Sequence, residues 1–183
     1  MATIPFDLQI INALAALLLL LSFSMLSQRR IVSLVNLLAM QGLLLTLATL
    51  LVAWRTGETH LYLSALLTCA LKVIFLPWLL HRLIRRLNVY WDTEPLLNIP
   101  GTMLVGVLIV VFAFGLAQPI AELASTATRN AIGIAVAVIL LSFLMMITRN
   151  KAMSQVVGFL SMENGLFFGA MSATYGMPMV VEL

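Results

Sequence analysis

Charged residues are scarce in this chain. Only 9% of its 183 residues are charged, whereas 62% are hydrophobic and the mean hydropathy is +1.10. A soluble domain carries about a quarter charged residues, and this much apolar surface would need a polar shell that the chain cannot supply. The composition therefore excludes a soluble enzyme, a disordered chain and a nucleic-acid-binding protein.

Cysteine is also nearly absent. Because Cys69 is the single cysteine, the chain cannot build a disulfide framework, a zinc cluster or an iron–sulfur site by itself. The two histidines, His60 and His81, fall near opposite ends of one apolar run, where solvated boundary positions are expected. We therefore expect no cofactor, no metal and no catalytic site within this chain.

Long hydrophobic runs dominate what is present. A bilayer core about 30 Å thick needs about 20 apolar residues per spanning helix. Strands of a closed barrel would instead show about ten residues of alternating character. The sequence predicts an all-α, polytopic transmembrane bundle, one membrane domain over 1–183. Its six predicted spans are Leu8–Leu26, Ile31–Trp54, Leu61–Leu80, Thr102–Ala121, Ala131–Thr148 and Ala152–Thr174.

The basic residues predict the orientation. Followed through alternate loops, Arg55 and Arg129 fall on one side, and seven basic residues fall on the other. These seven are Arg29, Arg30, Arg82, Arg85, Arg86, Arg149 and Lys151. The positive-inside rule therefore predicts an outside N-terminus and an inside location for the connection after the third span. The mixture of arginines and leucines in His81–Asn88 predicts a short helix lying on the inner surface.

The sequence contains an internal repeat. A basic hairpin followed by a mid-span polar motif occurs as Arg29-Arg30 with Met40-Gln41-Gly42, and again as Arg149-Asn150-Lys151 with Met162-Glu163-Asn164-Gly165. The offset is about 122 residues and both copies run in the same direction. We predict a first three-helix repeat at 1–80, an inner amphipathic connection with a connector helix at 81–130, and an incomplete second repeat at 131–183. The third helix of the second copy is expected to be missing.

Two formal charges fall within the predicted spans, Lys72 and Glu163. A charge at the bilayer centre costs roughly 2.5–3.5 kcal/mol and usually marks an ion or proton path. The alternative is a structural pair between the two residues or with backbone. Thr68, one turn before Lys72, could share its proton network. Gln41 is the first-copy counterpart of Glu163, and because it cannot titrate it would need water to relay a proton; otherwise it makes an interhelical hydrogen bond.

Helix-packing signals surround these charges. Pro77 removes the hydrogen bond to the carbonyl of Val73, which predicts either a local kink with water access or simple packing. Small residues at spacings of three and four in the sixth span predict close approach of another helix. They are Gly158, Ser161, Gly165, Gly169 and Ser172. Because Glu163 lies on the other side of that helix, we expect both sides to be covered, by this chain or by a partner subunit.

Three segments resemble a known family. They are Leu71–Pro77, Met162–Gly165 and the closing Pro178–Leu183, and they are similar to the E component of hydrogenase-4, a membrane subunit of complex I-like, energy-converting hydrogenases. The basic hairpin before a glutamate-bearing span is also similar to the K subunit of respiratory complex I and the C subunit of Mrp antiporters. Members of the hydrogenase-4 E-component family normally continue beyond the closing segment into another helix.

The resemblance implies a non-catalytic subunit of a hydrogenase of the formate hydrogenlyase type, in the inner membrane of a bacterium or archaeon. It implies antiporter-like and other membrane subunits as partners besides lipid, with the nickel–iron and iron–sulfur clusters held in partner subunits. Glu163 and Lys72, with Gln41 and Thr68, would contribute to the proton or ion path. K subunits carry two membrane glutamates, and the matching first-copy positions here hold Gln41 and Lys72. The alternatives are a stand-alone or Mrp-type secondary cation/proton transporter subunit and a purely structural linker.

Overall fold

The computed structural model describes residues 6–57, 59–88, 98–121 and 126–176, and the elements in these ranges are helices. The predicted all-α bundle is thereby confirmed. The helices are α1 (Phe6–Ser27), α2 (Ile31–Thr56), α3 (Thr59–Thr68), a π-helical segment (Cys69–Phe75), α4 (Leu76–Leu87), α5 (Ile99–Ala121), α6 (Thr126–Thr148) and α7 (Ala152–Gly176).

Six of these helical stretches are long and apolar enough to cross a bilayer, which makes this a multi-pass membrane protein. Their positions match the six predicted spans, with one difference. His81–Leu87 does not form a separate surface helix, because α3, the π-helical segment and α4 follow one another without interruption. We refer to this continuous element as the third span. It ends at Asn88, whose left-handed backbone (φ 57°) terminates the helix.

The π-helical segment ends two residues before Pro77 and contains Lys72. Proline has no backbone N–H and its ring crowds the preceding turn, so the regular i→i−4 pattern cannot continue through it. The chain adapts by widening the turn, and the N–H of Leu76 donates to the carbonyl of Leu71, five residues back. Short π-helical stretches of this kind occur frequently at functional sites.

Two antiparallel hairpins, α1–α2 and α6–α7, lie side by side with α1 against α6 and α2 against α7. Arg149, after α6, contacts the end of α1, and Thr49 of α2 contacts Met171 of α7, so equivalent helices run in the same direction. Such stacking is the arrangement of two copies related mainly by translation. The third span packs on α2, and α5 packs on α6 and α1.

The bundle interior divides into two apolar clusters along its length. The cluster near the α1–α2 and α6–α7 loops is built from large side chains such as Leu34, Ile84 and Met145. The cluster toward the other end is richer in alanine, and Phe168 is its largest fully buried side chain. Small residues there let the helix backbones approach closely, as in other membrane bundles.

The seven basic residues assigned to one side lie in or beside the loops and helix ends that surround the first of these clusters. We call this the basic end. Its inside location stays a prediction. The side chains of Arg55, Arg129 and His60 and the closing segment 178–183 lie outside the described residues, so their predicted places are not described.

Candidate ion-pair site

Lys72 and Glu163 meet between the third span and α7. The Lys72 Nζ lies 3.0 Å from Glu163 Oε1 and donates a hydrogen bond of 2.9 Å to Asn164 Oδ1. It also lies 5.6 Å from the centre of the Phe167 ring, within the range of a cation–π contact. One ammonium group therefore contacts three side chains of α7, and the two predicted intramembrane charges form a pair.

Gly42 of α2 allows the third span to come this close. A Cβ at Gly42 would lie 3.1 Å from the Lys72 Cβ and 3.3 Å from the Lys72 backbone carbon and oxygen. The glycine thus admits the wide π-helical turn against α2, and that contact aims the lysine at α7. Leu38, Leu76 and Leu160 complete the surroundings of the pair.

The pair lies near the middle of the membrane. Glu163 is eleven residues from the start of α7, which at 1.5 Å per residue is about 17 Å along a spanning helix. Lys72 is similarly close to the midpoint of the third span. At this depth an ionised carboxylate needs a cation, water or another protein as compensation.

The two partners differ in exposure. The Lys72 side chain is 13% exposed, whereas that of Glu163 is 49% exposed. Glu163 lies in a row of exposed α7 residues that includes Val156, Phe159 and Leu166, which we call the open face of α7. The carboxylate therefore opens sideways from an otherwise apolar surface, and the described part of the chain leaves that side of the helix open.

Gln41 is fully buried and does not join the pair. Its Nε2 donates to Ser22 Oγ at 2.7 Å, and Ser22 in turn donates to the carbonyl of Leu18. An equivalent bond of 2.9 Å joins Ser142 and Ser161 in the second hairpin. Ser142 and Ser161 follow Ser22 and Gln41 by the same interval of 120 positions. In this register Ser161, rather than the predicted Glu163, is the counterpart of Gln41.

The other predicted site residues have structural surroundings. Thr68 is buried, and within the described residues it shares no hydrogen bond with Lys72. Pro77 is buried, and its carbonyl accepts a 2.7 Å hydrogen bond from His81 Nδ1, so His81 is not simply solvated. A Cβ at Gly158, Gly165 or Gly169 would meet atoms of α6 at 2.9 to 3.2 Å. The small-residue stripe thus packs against the helix of its own hairpin.

Three contributors were missed in the sequence. Phe167 follows Glu163 by four positions, the spacing of neighbours on one helix face, whereas Asn164 is the next residue in the chain and lies about 100° further round the helix. The spacing of Phe167 was therefore available as a signal in the sequence. The sequence contained no signal for the role of Gly42 beyond its place next to Gln41, because that role depends on which helix packs against α2.

These features define a multi-pass helical membrane protein with an ion pair at mid-depth between its third and last described spans. The chain is 34% identical over 167 residues to the "Uncharacterized protein Rv0085" of Mycobacterium tuberculosis (strain ATCC 25618 / H37Rv). The alignment covers 91% of this chain and 76% of that protein, so this chain belongs to the same family as Rv0085. No family model and no solved structure matches it.

Proposed function

We propose that this protein is a non-catalytic membrane subunit of a complex I-like energy-converting hydrogenase of the formate hydrogenlyase type. It would reside in a bacterial or archaeal inner membrane with its N-terminus outside. There it would contribute to proton or ion movement coupled to redox chemistry at nickel–iron and iron–sulfur centres in partner subunits. The observation that carries the proposal is the Lys72–Glu163 pair, whose carboxylate opens sideways at mid-membrane.

The sideways opening supports a role within an assembly. A half-exposed carboxylate facing lipid is costly, and the described residues of the open face of α7 offer it no other polar side chain at the same depth. A neighbouring membrane subunit, or water held between the two proteins, would complete its surroundings. Antiporter-like subunits are the partners that the resemblance of Leu71–Pro77 and Met162–Gly165 implies.

The chemistry of the pair supports proton or ion movement. An amine and a carboxylate are both groups that hold and release protons, so the pair supplies the kind of side chain that proton transfer uses. Because Glu163 is half exposed whereas Lys72 is largely covered, exchange would take place through the exposed side of Glu163. Lys72 would stay in contact through Asn164 and Phe167.

A structural linker is the second candidate, and one observation favours it. Lys72 contacts three α7 side chains, as a fixed connection between two helices would. The two candidates differ in whether Glu163 must titrate.

The first experiment asks whether the protein belongs to a complex. Purification in mild detergent, followed by mass spectrometry, should recover hydrogenase-type and antiporter-like subunits with it. Recovery of an active, stable monomer that transports cations in vesicles would replace the hydrogenase proposal with a secondary transporter.

The second experiment changes Glu163→Gln. The glutamine carbonyl can still accept from Lys72, so we expect normal subunit recovery, while coupled proton or sodium uptake in vesicles falls by about tenfold or more, as for loss of a proton-transfer group. Glu163→Asp should be milder. Phe159→Leu, on the same open face, is the control and should leave uptake unchanged. Full coupling in the glutamine variant would establish the linker role instead.

A further inference from the structure

A recess of about 500 Å³ lies at the basic end, on the last turns of the third span. It is lined by Trp78, His81, Arg82, Arg85 and Arg86. Its volume falls within the range of small-molecule sites. Among the described residues that line it none is acidic, and they bring three guanidinium groups beside the Trp78 ring.

Two side chains of the recess are held by specific contacts. The Arg82 guanidinium carbon lies 5.4 Å from the centre of the Trp78 ring, a stacking that holds the group in place. His81 Nδ1 is engaged with the carbonyl of Pro77 at 2.7 Å, which leaves Nε2 as the ring nitrogen available to a ligand. Guanidinium groups bind phosphate oxygens in pairs of parallel hydrogen bonds.

The depth of the recess matches a lipid headgroup. Within the third span, the stretch Leu61–Leu87 has 27 residues and is about 40 Å long at 1.5 Å per residue. A hydrocarbon core of about 30 Å leaves its last turns among the headgroups. Leu79 and Leu83, on the same helix, are exposed and would lie beside acyl chains.

We propose that this recess binds the phosphodiester headgroup of an anionic phospholipid, with a lipid carrying two phosphates preferred over one carrying a single phosphate. Arg82, Arg85 and Arg86 would contact the phosphate oxygens, and Trp78 would lie against the glycerol region. Basic pockets at the cytoplasmic side of membrane helices are a recurrent form of lipid recognition. This site is independent of the ion pair and of the proposed hydrogenase role.

The test uses the full chain in phospholipid vesicles, with Trp54→Phe and Trp91→Phe so that Trp78 reports alone. Quenching of Trp78 by brominated diphosphatidylglycerol, phosphatidylglycerol and phosphatidylcholine gives their relative binding constants. We expect about tenfold preference for the first over the last, given the attraction that each basic residue contributes. Preference should fall to near unity in Arg82→Gln/Arg85→Gln/Arg86→Gln.

The matched control is Arg29→Gln/Lys151→Gln, which removes exposed charge from the same end but outside the recess. It should keep the preference. An equal loss in this control would overturn the site in favour of diffuse surface attraction. Equal quenching by all lipids would also overturn it, as would displacement by inorganic phosphate without any preference among lipids. If the triple variant does not fold, the same comparison is made with Arg85→Gln alone, for which a partial loss is expected and no loss contradicts the proposal.

Discussion

The two hairpins share one construction and differ in where they place their polar groups. Each has a hydrogen bond between residues 19 positions apart, Gln41 to Ser22 in the first and Ser142 to Ser161 in the second. In the first hairpin the side-chain amide of Gln41 makes this bond. The second uses two serines there and turns Glu163 and Asn164 toward the third span. The ionisable group is therefore an addition to the repeated structure rather than part of it.

The loops of the two hairpins differ in a similar way. Arg29 and Arg149 occupy equivalent places after α1 and α6, at the same interval of 120 positions as the serine pairs. Arg29 is exposed, whereas Arg149 is buried and its Nη2 donates to the carbonyls of Leu26 at 2.9 Å and Gln28 at 2.7 Å. A basic residue that served in the sequence as a signal of topology and of the repeat thus also joins the two hairpins at their basic end.

The largest loss of stability is expected from a substitution at Arg149, the residue in which the two loops differ. Arg149→Gln should remove both donors from the end of α1, which leaves two carbonyls without this partner and costs about 2–4 kcal/mol. Arg29→Gln, the matched control, should cost less than about 0.5 kcal/mol because the side chain is exposed. Unfolding in mixed micelles with increasing dodecyl sulfate measures both. Equal stability of the two variants would mean that the Arg149 bonds do not hold the hairpins together.

An intermediate effect is expected at Gly42. In Gly42→Ala the new Cβ would meet Lys72 backbone atoms at 3.3 Å, and backbone cannot swing aside as a side-chain tip can. The third span should shift away from α2, with a loss of about 1–2 kcal/mol and a weaker Lys72–Glu163 contact.

Gly115→Ala is the control for Gly42, because a Cβ at Gly115 meets nothing within 4 Å. It should leave the free energy of unfolding unchanged or slightly higher. If Gly42→Ala behaves like Gly115→Ala, the close approach of the π-helical segment does not depend on glycine.

The sequence predicted the six spans well because hydrophobic length is a property of each segment alone. It also singled out Lys72 and Glu163, since charges at mid-span are rare and costly. It did not predict that His81–Leu87 continues the third span, because arginines and leucines at helical spacing suit either a surface helix or a projecting end. Pro77 predicted either a local kink or simple packing, but not a π-helical segment, whose close approach to Gly42 depends on the packing of two helices.

The register of the repeat was harder to predict than its existence. The similar sequence motifs aligned Gln41 with Glu163. The hydrogen bonds to Ser22 and Ser142 instead align Gln41 with Ser161, two positions earlier. An error of two residues turns a helix by about 200°, which exchanges an inward position for an outward one. Which side of α7 faces α6 is decided by Gly158, Gly165 and Gly169, and those contacts require the partner helix.

The smallest change in stability is expected from a substitution at Gln41, which tests whether the hydrogen bonds of the two hairpins are equivalent. The Gln41 Nε2 has Ser22 as a partner, but its buried Oε1 has no hydrogen-bond partner within the described residues. Gln41→Leu keeps most of the volume and removes both the bond and the unsatisfied oxygen. The two changes oppose each other, since interhelical bonds in membranes average about 0.6 kcal/mol and a buried unsatisfied acceptor costs about 1–3 kcal/mol. We therefore expect unchanged or slightly higher stability.

Ser161→Ala provides the comparison in the second hairpin, because it removes the bond to Ser142 without relieving an unsatisfied group and should cost about 0.6 kcal/mol. The test is which of the two variants, Gln41→Leu or Ser161→Ala, has the lower free energy of unfolding. If Gln41→Leu is the more destabilising, the Gln41 oxygen has a partner in the membrane, with water as the group that fits a polar position of this kind. Coupled ion uptake in Gln41→Leu then distinguishes the two roles predicted for this residue. Normal uptake assigns Gln41 to packing, whereas loss of uptake at full stability would place a hydrated Gln41 on the path with Glu163.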